Sequence, residues 1–67
     1  SLMDRDVIEG KWTEIKGQLR EAYGDLTEDD VEEAKGDREQ MEGVLQQKLG
    51  KSKDEVRQTV DRILNNI

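Results

Sequence analysis

The apolar residues of this chain are few, and they fall at helical spacing. Val7, Ile8, Trp12, Ile15, Leu19, Ala22 and Tyr23 recur at steps of one, three and four, which puts them on one stripe of a helix. Val56, Val60, Ile63, Leu64 and Ile67 trace a second stripe near the C-terminus, and Met41, Val44, Leu45 and Leu49 a shorter one between. No run of β-branched residues alternates with period two, so no sheet is expected. The sequence predicts an all-α chain whose core is Trp12, Ile15, Leu19, Tyr23, Leu26, Val31, Met41, Leu45, Leu49, Val56, Val60 and Ile63.

Helix boundaries are marked by short polar signals. Thr27 precedes Glu28-Asp29-Asp30, and Ser52 precedes Lys53-Asp54-Glu55. Each hydroxyl can accept from an orphan amide of the first turn while the carboxylate three residues on reaches back. The longer Glu55 makes Ser52 the better reciprocal cap on sequence grounds, with Asp30 a shorter variant at Thr27. Gly24 and Gly50 stand where helices should stop, because glycine tolerates the left-handed C-terminal conformation. Four short helices are expected, over about 4–23, 28–35, 37–49 and 53–66. Ser1 and Leu2, ahead of Met3, look like an expression scar and are set aside.

The glycines add a repeat. They fall at 10, 17 and 24, then at 36, 43 and 50, each triplet spaced by seven. A shift of 26 residues superposes the triplets and aligns Leu19 with Leu45 and Ile15 with Met41. After a slip of one residue, Thr27, Asp29 and Val31 align with Ser52, Asp54 and Val56. The pattern reads as an approximate internal duplication of a helical hairpin, one copy over about 4–35 and the other over about 36–66, packed together as a single domain over 3–67. At 100° per residue, Gly10 and Gly17 lie about 160–180° from the apolar stripe. They therefore share an outer face with Glu14 and Glu21. Two readings stand: helices weakened by tolerated glycines, at roughly 1 kcal/mol each, or a shallow backbone-lined surface that admits a partner chain.

Charge restricts function further. The 67 residues carry 17 acids and 11 bases for a net charge of -6, with no Cys, His or Pro. A chain so poor in clustered bases is not a general phosphate binder. Without Cys or His there is no disulfide framework, thiol nucleophile, imidazole base or structural zinc site. Six acids fall between Asp25 and Glu33 with no base among them. Helix-dipole pairing accounts for Glu28, Asp29 and Asp30 without any function, and their spacing is not that of a calcium loop. Gly10, Glu14, Gly17, Glu21, Glu28, Asp29 and Asp30 are the candidate partner-binding residues.

Catalysis is not expected, and neither is a cofactor or a bound metal. No carboxylate pair stands in an apolar setting that would raise one pKa, and four short helices with so few apolar residues can hardly enclose a cleft. Trp12 and Tyr23 lie on nearly the same helix face, about 16 Å apart, where core anchoring competes with base stacking. No apolar run approaches the ~18 residues that a bilayer span needs, so no membrane insertion is expected.

Glu9-Gly10-Lys11-Trp12, Lys16-Gly17 and Tyr23-Gly24-Asp25-Leu26-Thr27-Glu28-Asp29-Asp30 resemble the CsbD-like family of small bacterial stress proteins. Gly36-Asp37-Arg38-Glu39-Gln40-Met41-Glu42-Gly43 and Leu49-Gly50-Lys51-Ser52-Lys53-Asp54-Glu55 continue the resemblance. Tyr23 stands where the family often has Trp, and Leu49 where it often has Tyr. The resemblance implies a cytoplasmic, bacterial, stress-induced protein with a SAM-domain-like bundle of two α-hairpins, and no catalytic residues. The function expected is therefore a small non-catalytic stress-response protein, protective or stabilising, as a monomer or weak dimer. The alternatives are an adaptor for one protein partner, through the Gly10/Gly17 face or the acidic 25–33 segment, and, less favoured, nucleic-acid binding.

Overall fold

The computed structural model describes the backbone of residues 2–67 and the side chains of residues 5–67. The described residues form five helices and no sheet: α1 (Leu2–Gly10), α2 (Trp12–Ala22), α3 (Glu28–Glu33), α4 (Arg38–Leu49) and α5 (Lys53–Asn65). Their packing makes a ring. α2 contacts α5, α5 contacts α4, α4 contacts α3, and α3 returns to α2, while α1 spans from α2 to α4.

Ile15 and Leu19 of α2, Val31 of α3, Met41 and Leu45 of α4, and Val56 and Val60 of α5 fill the ring, all without solvent exposure. Ile8, Trp12, Leu26, Ala34 and Ile63 complete the core. Burying one such aliphatic side chain contributes ~1.5–3 kcal/mol, so a domain this small depends on each of them. Tyr23 and Leu49, both expected inside, are only half-buried and pack on the edge of that cluster. Val7 and Ala22 belong to the expected stripe but are exposed.

The single helix expected over 4–23 is two helices, which makes five rather than four. Lys11 adopts φ -117°, ψ 21°, outside the helical basin. Hydrogen bonds still cross the break, from Lys11 N–H to the Val7 carbonyl (2.9 Å) and from Ile15 N–H to the Lys11 carbonyl (3.0 Å). The apolar spacing runs through this point because Ile8 and Trp12 both face the core. The change of direction instead brings α1 over α4, where Arg5 lies 3.9 Å from Asp37. Leu2, set aside on sequence grounds, opens α1, and Ser1 lies outside the described residues.

Two signals at helix ends also resolve differently from expectation. Gly50 ends α4 in the left-handed conformation (φ 67°), as its position suggested. Gly24 has no positive φ. The extended residue is Tyr23 (φ -128°, ψ 87°), which ends α2 and opens a turn closed by Leu26 N–H on the Tyr23 carbonyl at 3.1 Å. The complete reciprocal cap is at Thr27: Asp30 N–H donates to Thr27 Oγ1 (3.1 Å) and Thr27 N–H to Asp30 Oδ2 (3.2 Å). Ser52 makes half of one, accepting from Glu55 N–H at 3.1 Å, while the Glu55 carboxylate turns to Lys51 at 3.8 Å. Asp37, not recognised as a cap from sequence, accepts from Gln40 N–H at 2.8 Å. Its signal was present, an Asp three residues ahead of Gln40.

Candidate functional site

The acidic segment is held between two cations of α2 and one of α4. α2 presents Trp12, Lys16 and Arg20 at steps of four, and α3 presents Glu28 and Glu32, also four apart, so each row lies along one helix face. Arg20 donates to Glu28 at 2.9 Å. Lys16 lies 3.7 Å from Glu28 and 3.8 Å from Glu32. The Trp12 indole N–H donates to the other end of the row, Glu32 Oε1, at 3.4 Å. On the far side of α3, Lys48 of α4 reaches Glu33 (3.3 Å) and Asp30 (3.6 Å).

These contacts shift two of the groups in opposite directions. The amide and hydroxyl of Thr27, with the Lys48 ammonium, hold the Asp30 carboxyl below the usual carboxylate range. The Lys48 ammonium is pushed up by its hydrogen bond to Glu33 and by both carboxylates. A six-residue helix has little stability of its own. Val31 and Ala34 inside, the Thr27 cap and the cations on both flanks are what keep α3 in place.

A second clasp joins α4 to α5. Arg38 donates from Nε to Glu42 at 2.8 Å, and from Nη2 to Asp61 and to the Arg57 carbonyl. These carboxylates raise the guanidinium's already high pKa, the Glu42 hydrogen bond most of all.

The sequence-predicted partner-binding residues are therefore divided. Glu28 and Asp30 form ion pairs with α2 and α4, Glu28 from an exposed position, and Asp29 is exposed as well. Gly10, Glu14, Gly17 and Glu21 lie on the outer faces of α1 and α2, and a Cβ at either glycine would meet nothing within 4 Å. They do not share one groove. Gly10 and Glu14 line a shallow opening of about 390 Å³ with Trp12 and Lys35, while Glu21 lines another, of about 520 Å³, with Gln18 and Arg62. Trp12 is 7% exposed, with its ring in the core, which favours anchoring over stacking. Sequence reasoning missed the Tyr23–Thr59 hydrogen bond (2.8 Å). It also missed Lys16, Arg20 and Lys48 as the counter-charges of the acidic segment, since the pairs with Lys48 join residues distant in the chain.

Among the described residues, no three acidic side chains converge in a way that could hold a metal ion, and no helix is long and apolar enough to cross a membrane. Fold and surface together define a small all-helical domain in which ion pairs between charged side chains link α2 to α3, α3 to α4 and α4 to α5. The chain belongs to the CsbD-like family, whose model matches residues 6–58, from the middle of α1 into α5. No curated protein and no solved structure matches the chain.

Proposed function

We propose that this chain is a small, non-catalytic, cytoplasmic stress-response protein that acts through weak protective contacts. Membership of the CsbD-like family supports the stress-response part of this reading. The observation that carries the protective part is the engagement of the acidic segment. Its Glu28, Asp30, Glu32 and Glu33 are paired with Lys16, Arg20 and Lys48 of the same chain, which offsets part of the segment's charge while Glu28, Glu32 and Glu33 stay exposed. What faces water is mixed charge and shallow, open relief. Such a surface suits many weak encounters better than one tight complex. The glycine repeat fits a duplicated hairpin, α2–α3 beside α4–α5, in the manner of a SAM-like bundle.

The test is a heat or drying challenge of a labile enzyme with and without the chain, against an unrelated acidic protein of equal size and charge. Protection exceeding that control is the expected result. The adaptor alternative is favoured by the open outer face at Gly10 and Gly17. A single stoichiometric partner in a pull-down under salt stress, lost on Gly17→Trp, would replace the protective reading with that one. Nucleic-acid binding predicts retardation of DNA at about 150 mM salt, and the net charge of -6 opposes it.

A further inference from the structure

An apolar groove remains open between α1 and the end of α5, which do not pack on each other. It encloses about 430 Å³ and is lined by Asp6, Val7, Gly10, Lys11, Leu64 and Ile67. Val7 is the one large hydrophobic side chain exposed among the described residues, at 38%. Leu64 and Ile67 beside it are half-buried. Ile8, the next residue, is fully buried, so α1 turns one face to the core and leaves a second apolar position facing water.

We propose that this groove is the contact surface for a second copy of the same chain, with the two α1 helices crossing antiparallel about a twofold axis. The argument is one of self-complementarity. Asp6, Val7 and Gly10 of α1 span about 100° of its circumference, Lys11 follows them at the break with its N–H still on the Val7 carbonyl, and the four positions are symmetric in sequence about the midpoint between Ile8 and Glu9. An antiparallel copy centred there sets Asp6 opposite the second copy's Lys11, and Lys11 opposite its Asp6. The same axis sets Val7 opposite the second copy's Gly10. No Cβ stands at Gly10 and open space lies above it, so an isopropyl group can seat on bare backbone, flanked by Leu64 and Ile67. Residue i meeting j while j meets i is what a twofold interface requires. Five residues apart on a helix, Asp6 and Lys11 are not neighbours within one chain, so their pairing has this meaning only between copies.

Six residues line the groove, against the roughly 20–30 a side of a stable complex, and each copy carries a net charge of -6. The dimer is accordingly weak, forming toward the top of the micromolar range. Sedimentation equilibrium from about 20 µM to about 1 mM, in 0.15 M salt where screening reaches ~8 Å, tests it. The expected result is an average mass that climbs toward that of two chains. Asp6→Lys and Lys11→Glu each place like charges opposite one another and abolish the climb; the double reversal restores it. Trp12 emission checks that all three variants remain folded. A wild-type chain that stays single at ~1 mM overturns the proposal and leaves the groove to a different partner. So do single reversals that associate like wild type, or a double reversal that does not recover.

Discussion

The Tyr23 hydroxyl donates to Thr59 Oγ1 at 2.8 Å, tying the C-terminal end of α2 to the middle of α5 across 36 residues of chain. Thr59 is the one buried polar side chain of the described residues. Tyr23 can reach it because its own extended backbone ends α2 at that point. Removing either partner alone should cost about 1 kcal/mol, because the remaining hydroxyl loses a part-buried hydrogen bond. A double-mutant cycle of Tyr23→Phe and Thr59→Val, read from urea unfolding, should give a coupling of ~0.5–1.5 kcal/mol. Strictly additive effects would mean that the two hydroxyls do not interact in solution.

Trp12 anchors the break between α1 and α2. Its ring fills the core, and its indole N–H reaches Glu32 on α3. Trp12→Ala should cost ~3–5 kcal/mol and unfold the chain at room temperature. A thermal melt that barely moves would place the ring at the surface and return it to the candidate binding residues.

Asp30 supplies a pH dependence of known sign. Its folded pKa is depressed, chiefly by the Thr27 amide, below an unfolded value of about 3.9. The stability it confers is therefore fully present above that unfolded value, and is lost as pH falls through the lower folded one. Asp30→Asn keeps an acceptor for Thr27 N–H and removes only the charge. Wild type should exceed this variant by a constant margin above about pH 5, and the margin should shrink as pH falls below about 4. A margin unchanged down to about pH 2 would show that the carboxylate is not shifted in solution.

The helical glycines separate into two kinds. At Gly17 and Gly43 a methyl group meets open space, so Gly17→Ala and Gly43→Ala should each add ~0.5–1 kcal/mol. In a chain this short that raises the melting temperature by roughly 4 °C or more per variant. Gly50 occupies the left-handed region, and Gly50→Ala should destabilise by ~1 kcal/mol. Melting curves of the three variants test both signs at once.

How much of this was legible in the sequence follows from where each interaction sits along the chain. The Ser52 cap, the Gly50 end and the apolar stripe of α5 are local, and the structure holds all three. The split at Lys11 was hidden because Ile8, Trp12, Ile15 and Leu19 keep helical spacing across it, and apolar spacing is blind to a change of axis that leaves the buried face unchanged. Ala34 and Thr59 entered the core unannounced, since a small or polar side chain is buried by its neighbours rather than by its own hydrophobicity. The six acids of the 25–33 segment stood out at once as a charge run. Their cations did not, because pairing with Lys16, Arg20 and Lys48 is decided by how α2 and α4 flank α3.

The central claim is that a dozen apolar side chains, drawn from all five helices and the loops between them, close one specific core in a chain this charged. Amide hydrogen exchange of the dilute protein by NMR tests it most directly. Amides at Leu19, Leu45 and Val60, one from each long helix of the ring, should exchange slowly and with similar protection, since a single cooperative unit holds them. Exchange at unprotected rates at all three positions, with random-coil shifts, would contradict the account.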